Sequence, residues 1–311
     1  MKQAVDSDMT WRRQSISSGS WRAAWPLALG LSLLPSIALT ASSGPADPSL
    51  KLLRDASLML LKEGNQRFAT GKSQHPNLDS ERRTNTVAQG QEPFATILAC
   101  SDSRDPVELL FDRGIGDLFV VRVAGNVAGH SELATVEYGV DHLHTPLLVV
   151  MGHTRCGAVT AVVKGAELHG HLHHLAEKIK PAADQALGAT NQIEAAIPAA
   201  IQANVWQTIS DVLGQSSVVR EKMKSGQVQV VGAVYDLETG RVNWLGAHPD
   251  QETLLVAPAT DPAEGHAVSV EPHVSTPPPS AKQSSSEKLP ADNGALLRAL
   301  SKPPSSAAST H

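Results

Sequence analysis

Two short polar clusters hold both cysteines of this chain, and each cluster directly follows an apolar run. The first is Cys100-Ser101-Asp102-Ser103-Arg104, and the second is His153-Thr154-Arg155-Cys156-Gly157. Zinc prefers thiolate and imidazole ligands in a tetrahedral shell, and a catalytic zinc keeps one position open for water or substrate. The two cysteines and the histidine are three such ligands. The clusters therefore predict one zinc site, which Asp102 either completes or borders.

A disulfide is the competing interpretation, because the N-terminal sequence predicts export and oxidising compartments favour disulfides. A structural bridge would not require Asp102 and Arg104 shortly after Cys100. Nor would it require His153 three residues before Cys156. These neighbouring residues favour metal binding over a bridge.

The elements that must position the clusters are short apolar runs separated by helical stretches. The apolar runs cover residues 94–99, 118–123 and 147–152, and the helical stretches cover about 106–111 and 131–144. The order βαβαβ predicts an α/β domain with a central, mostly parallel β-sheet flanked by helices. Strands of a parallel sheet share one crevice at their carboxyl ends. Both cysteines are therefore expected to meet there.

One domain, residues 50–256, accounts for the remaining apolar pattern. A long helical stretch at 193–224 is interrupted near Pro198, and strands are predicted at 228–235 and 241–245, both at the sheet edge.

With these motifs in place, the chain resembles the β-class carbonic anhydrases from about residue 52 to residue 245. The resemblance is carried by C-S-D-S-R followed by H-T-x-C-G. It implies Cys100, His153 and Cys156 as the ligands of one Zn²⁺ per subunit. Asp102 and Arg104 are implied as the catalytic pair, and Asp102 is also implied as a zinc ligand in an inactive form.

The resemblance extends to residues that would contact the substrate. Gln91 matches a glutamine that hydrogen-bonds substrate in this family, and Phe119 and Tyr138 match aromatic walls of the pocket. Gly125 lies in the loop that would close it.

The implied function is the reversible hydration of carbon dioxide to bicarbonate and a proton by zinc-bound hydroxide. The implied assembly is a homodimer or a higher homo-oligomer, in which a helix over residues 50–68 lies on the partner subunit. Burial of that helix against its own core would give the same apolar spacing. Two other functions stay open: hydrolysis of carbon disulfide or carbonyl sulfide on this scaffold, and a non-catalytic zinc-binding or disulfide-stabilised interaction protein.

Two further features carry separate expectations. Asp105 stands where the family generally has an apolar residue. It either competes for Arg104 or caps a helix beginning at Pro106, and the cap is expected because Asp is a favoured N-cap residue. The histidine-rich stretch at 169–174 is either a second metal site or a set of proton relays, because imidazoles titrate near neutral pH.

The two ends of the chain differ from the domain. Arginines at positions 12, 13 and 22 precede an apolar stretch at 23–41, which predicts a signal peptide over 1–41 and export to the periplasm by the twin-arginine or Sec route. An uncut membrane anchor is the alternative. Residues 257–311 hold nine of the 20 prolines and predict a disordered tail. The net charge of −5 comes with no basic stripe, which argues against nucleic-acid binding.

Overall fold

A five-stranded, mostly parallel sheet forms the centre of the protein. The computed structural model describes residues 47–190 and 192–257. The strands are β1 (Ala95–Ala99), β2 (Leu118–Arg122), β3 (Leu147–His153), β4 (Gln229–Tyr235) and β5 (Val242–Gly246). Every residue of β1 and β3 is buried, because helices cover both faces of these central strands. The predicted α/β fold with a mostly parallel sheet is confirmed.

The order of the strands creates a crevice where the two cysteine clusters lie. Strands run β2-β1-β3-β4-β5, with all pairs parallel except the antiparallel pair β4-β5. The chain passes from β1 outward to β2 and then returns to the opposite side of β1 as β3. Crossovers that leave in opposite directions open a crevice at the carboxyl ends of the two strands, which is where ligands bind in such sheets.

Helices pack on both faces of the sheet. In the described part of the chain they are α1 (Pro48–Ala69), α2 (Ser80–Gln89), α3 (Val107–Leu110), α4 (His130–Glu137), α5 (Gly157–Val163), α6 (Leu172–Ala189), α7 (Ile193–Gln215), α8 (Ser217–Lys224) and α9 (Gln251–Val256). A 3₁₀ turn at Ala124–Asn126 follows β2, and a π-helical turn at Tyr138–His142 continues α4. One apolar cluster includes Leu61 of α1, and a second on the other face includes Ile209 of α7.

Two details of the predicted elements are wrong. The interruption falls at Ser216 and not at Pro198, which lies inside α7. Pro198 is tolerated because it lies early in the helix and its missing N–H removes a single intrahelical bond. Of the last two strands only β5 is at the edge, since β4 is paired on both sides.

Within the described ranges no helix combines the length and hydropathy needed to cross a bilayer. The predicted signal segment, residues 1–41, lies outside those ranges, and so do residues 258–311 of the predicted tail.

Candidate metal centre

The three predicted zinc ligands converge at the crevice. Cys100 directly follows β1, His153 is the last residue of β3, and Cys156 immediately precedes α5. Their ligand atoms all lie within 4.8 Å of one another. All three residues are buried, with exposed fractions of 4%, 0% and 1% respectively. Both cysteines are free thiols, so the disulfide alternative does not describe this structure.

His153 is held in the tautomer that a metal ligand needs. Its Nδ1 lies 2.9 Å from the backbone oxygen of Thr154, and as the donor in that bond it leaves Nε2 with a lone pair. Nε2 is buried and has no hydrogen-bond partner among the described atoms. A buried imidazole nitrogen without a partner is costly unless a ligand takes the lone pair. The orphaned Nε2 therefore fits a bound metal.

The sulfur atoms also fit a metal. The hydrogen bond from Cys156 is the main cause that lowers the pKa of Cys100, to about 4, and the Gly125 amide also lowers it. The same contact with Cys100, together with burial, raises the pKa of Cys156 well above its usual range. Two buried sulfurs within 4.8 Å of each other and of an imidazole nitrogen are arranged as metal ligands. Zn²⁺ suits two sulfurs and one imidazole, with a fourth position left for water.

Asp102 and Arg104 form a bidentate pair beside these ligands. Arg104 Nε donates to Asp102 Oδ1 at 2.9 Å, and Arg104 Nη2 donates to Oδ2 at 2.7 Å. These bonds hold the pKa of Asp102 well below its usual range. Asp102 Oδ2 lies 3.8 Å from His153 Nε2, at the rim of the ligand group. In this arrangement Asp102 is paired with arginine and stands outside the group of three ligands.

Arg122 and Gly125 support the site in ways that the sequence did not indicate. Arg122 donates from Nε to the backbone oxygen of Cys100 at 3.0 Å and from Nη2 to that of Asp102 at 2.7 Å. The Gly125 amide donates to Cys100 Sγ at 3.3 Å. Gly125 has a φ of 77°, and a Cβ there would lie 2.7 Å from Ile179 Cδ1. Only glycine brings this amide so close to the sulfur.

Asp105 does not cap a helix, and that prediction is wrong. The N-cap of α3 is Pro106, and no side chain caps the helix. Asp105 is fully buried instead, and neither carboxylate oxygen has a hydrogen-bond partner among the described atoms. Burial raises its pKa to about 7. The side chain is turned inward because the chain tightens after the motif, where the Asp105 amide donates to the backbone oxygen of Asp102.

The predicted substrate residues other than Gly125 lie toward the opposite end of the strands. Gln91 is exposed in the loop before β1, at the amino end of the strand. Phe119 pairs with Thr96 of β1, and its ring centroid is 5.8 Å from that of Tyr138. The length of β1, about 16 Å at 3.3 Å per residue, separates this end from Cys100. Within one chain, therefore, these three residues and the ligand group do not meet, and their contact with substrate stays a prediction.

The histidine-rich stretch lies at the start of α6. His171, His173 and His174 are exposed, and the last two have ring centroids 3.8 Å apart. Among the residues that the structure describes, the group at the crevice is the only one with three or more ligand side chains placed to share a metal. The second metal site gains no support, and the proton relay stays a prediction.

Comparisons with known proteins agree with this arrangement. The family model described as carbonic anhydrase matches residues 95–242. Carbonic anhydrase 2 of Mycobacterium tuberculosis is 37% identical over 194 residues, which cover 60% of this chain and 90% of that protein. The carbonic anhydrase of Mycolicibacterium smegmatis is 35% identical over 195 residues, covering 60% and 91%.

A solved structure extends the match to the fold. The β-carbonic anhydrase CafA of Aspergillus fumigatus superposes with a TM-score of 0.51 at 32% identity, over 61% of this chain and 91% of that one. The ligand group at the crevice, the sequence relatives and this structural neighbour agree. The chain belongs to the β-class carbonic anhydrases.

Proposed function

We propose that this carbonic anhydrase hydrates carbon dioxide reversibly with one Zn²⁺ held by Cys100, His153 and Cys156. The observation that carries the proposal is the convergence of three buried ligand atoms within 4.8 Å of one another, one of them the orphaned Nε2 of His153. Zinc bound there would lower the pKa of a bound water molecule far below its ordinary value, which supplies a strong nucleophile near neutral pH.

The chain's own residues orient that water. Arg104 keeps Asp102 ionised and fixes the orientation of its carboxylate. Asp102 can therefore accept a hydrogen bond from the reacting water. This bond orients the water so that a lone pair on the water oxygen faces the carbon of the substrate. Arg122 holds the backbone on both sides of Ser101, which keeps Asp102 at a constant distance from the ligands.

The placement of the substrate residues supports a homodimer. Gln91, Phe119 and Tyr138 lie at the wrong end of the strands to serve the ligand group of their own chain. Tyr138 is 45% exposed, as expected of a pocket wall that faces another copy. Leu52 and Met59, seven residues apart on one face of α1, are 61% and 46% exposed. We infer that a second copy covers these side chains and brings its own ligand group to them.

Export to the periplasm is part of the proposal and is supported by sequence alone. The arginines before the apolar stretch at 23–41, and the small residues that follow it, match a cleavable signal. Fractionation of cells that express the full chain, with N-terminal sequencing of the product, tests it. Uncleaved protein in the cytoplasm would contradict it.

Stopped-flow hydration of carbon dioxide by the purified chain, with zinc counted per subunit, tests the proposed reaction. The wild-type chain is expected to bind one zinc and to hydrate carbon dioxide. Cys100→Ser should lose both the zinc and the rate, because it removes one of three ligands. The matched control is Ser103→Ala, which changes an exposed residue of the same loop and should keep both.

Two outcomes would contradict the proposal. One is a Cys100→Ser variant that keeps the wild-type rate. The other is a zinc-loaded wild-type chain that does not hydrate carbon dioxide, and release of sulfide from carbonyl sulfide by such a chain would favour the hydrolase alternative.

A further inference from the structure

Asn204 is a fully buried polar side chain in α7. Buried apolar residues, such as Ala200, Ile201 and Val205, flank it, and the buried Thr208 follows one turn later. Asn204 is 0% exposed, and its Oδ1 has no hydrogen-bond partner among the described atoms. Burying a half-satisfied amide costs stability. The hydrogen bond of the amide nitrogen Nδ2 must offset part of this cost.

The amide nitrogen of the Asn204 side chain contacts the loop beside the metal ligands. Asn204 Nδ2 donates to the backbone oxygen of Gly125 at 2.7 Å, across 79 residues of sequence. The amide nitrogen of the same residue, Gly125, donates to Cys100 Sγ at 3.3 Å. A continuous path of two hydrogen bonds thus runs from α7 through one glycine to a metal-ligand sulfur.

The backbone of the turn at Ala124–Asn126 requires stabilising contacts from other elements. Gly125 and Asn126 both have positive φ values, 77° and 46°, which only few residue types adopt readily. Ile179 of α6 and Ala158 of α5 fill the space on the side of Gly125 where a Cβ would lie. The hydrogen bond from Asn204 restrains the orientation of the Gly125 carbonyl. It thereby also restrains the backbone conformation at Gly125, which sets the direction of the Gly125 amide.

We propose that Asn204 is a positioning residue that keeps the Gly125 amide directed at the Cys100 sulfur and so tunes this sulfur as a metal ligand. The inference rests on the proposed metal site and adds to it a residue that touches neither metal nor substrate. Groups that orient or hydrogen-bond metal ligands typically change metal affinity 10–100-fold when removed.

Two variants remove the bond, and one control matches them. Asn204→Ala removes the amide, and Asn204→Leu removes the donor while keeping a branched side chain of the same length. Ile209→Ala is the control, because Ile209 is equally buried on the same helix but packs in a different cluster, away from Gly125. It should lower thermal stability at least as much without touching the loop.

The first readout is zinc affinity of the full chain, measured by competition with a chromophoric chelator. Both Asn204 variants are expected to bind zinc about 10–100-fold more weakly. The second is the sulfur-to-cobalt charge-transfer band of the Co²⁺-loaded protein. That band is expected to move to longer wavelength, because a thiolate that loses a hydrogen bond gives up its electrons more easily. Ile209→Ala should change neither property.

A measurement on the wild-type chain guards against variants that do not fold. In protein loaded with ¹¹³Cd and labelled with ¹⁵N-glycine, the Gly125 amide proton should couple to the metal through the sulfur, and it should exchange slowly with solvent. Absence of that coupling would overturn the proposal, and so would Asn204 variants with wild-type affinity and band position. If the wild-type chain binds no zinc, cobalt or cadmium, the proposed metal site itself fails, which is a distinguishable result.

Discussion

Asp102 is the residue on which the proposed proton handling depends most directly. It lies at the rim of the ligand group, and its two oxygens are held by Arg104 in a fixed direction. A carboxylate held in this way stays ionised across the physiological pH range, because its arginine partner favours the charged form. It is therefore always able to accept a hydrogen bond.

Asp102→Asn tests that role. The variant keeps the size of the side chain and should keep the zinc, but it loses the charge and the paired bond to Arg104. We expect carbon dioxide hydration to fall by about 10²–10⁴-fold, as for removal of a positioned proton acceptor. Stopped-flow rates with zinc per subunit measure it. Asp184→Asn, which changes an exposed partner of Lys180, is the control, and equal rates for the two variants would refute the role.

Asp105 predicts a pH-dependent stability. Its pKa in the folded chain is about 7, because burial disfavours the charged form, against about 3.9 in the unfolded chain. Below pH 4 the Asp105 carboxyl is protonated in both the folded and the unfolded chain, so its ionisation does not change the free energy of unfolding. Between pH 4 and 7 the unfolded chain ionises first, so stability is progressively lost as pH rises through the folded pKa.

Asp105→Asn removes that loss. The variant should be more stable than the wild type above pH 7, by up to about 4 kcal/mol, and the advantage should vanish below pH 4. Thermal unfolding between pH 3.5 and 8 measures it. An advantage that does not change with pH would show that Asp105 does not titrate as described. Asp55→Asn, at an exposed site on α1, is the matched control for the same change of side chain.

At the scale of elements, the sequence predicted the structural features that depend on the hydrophobic pattern and on the spacing of the motifs. The three buried runs, the helices between them and the convergence of Cys100 with Cys156 follow from βαβ order and the direction of parallel strands. These features are local or depend on topology alone.

What the sequence did not predict depends on tertiary packing. Asp105 has the sequence of an N-cap, yet the tightened backbone turns it inward. Asn204 is one of several polar residues in α7, and the sequence does not show which of them is buried beside the Gly125 loop. Arg122 lies in a strand pattern that does not reveal its two bonds to the motif backbone.

Close approach of α1 to α3 predicts a sensitive glycine. A Cβ at Gly64 would lie 1.8 Å from the backbone oxygen of Phe111, so Gly64→Ala must push the two helices apart. We expect a loss of about 1–3 kcal/mol or more, measured by chemical denaturation. Gly188→Ala, in α6 with no atom within 4 Å of the added Cβ, should be neutral or gain up to about 1 kcal/mol. Equal effects at both sites would contradict this packing.

At the scale of the whole molecule, the ligand group lies at one end of the strands, and the predicted substrate residues Gln91, Phe119 and Tyr138 lie toward the other. The proposed homodimer makes each site from two chains. A C₂ dimer of this kind has two equivalent sites, each with ligands from one copy and pocket walls from the other.

Mixing two inactive variants tests the shared site. Asp102→Asn is damaged on the ligand side, and the double variant Gln91→Ala, Tyr138→Ala is damaged on the pocket side. After subunit exchange half of the dimers are mixed, and each mixed dimer has one intact site. Activity should therefore return to about a quarter of the wild-type value. If each chain forms its own site, the mixture will stay as inactive as its components.

The central claim is that two sulfurs and one imidazole of this chain bind a single zinc ion. X-ray absorption at the zinc edge of the purified, loaded chain tests it most directly. The claim predicts two sulfur neighbours at about 2.3 Å and one or two nitrogen or oxygen neighbours at about 2.0–2.1 Å. A zinc shell without sulfur, or cysteines found joined as a disulfide in active enzyme, would contradict it.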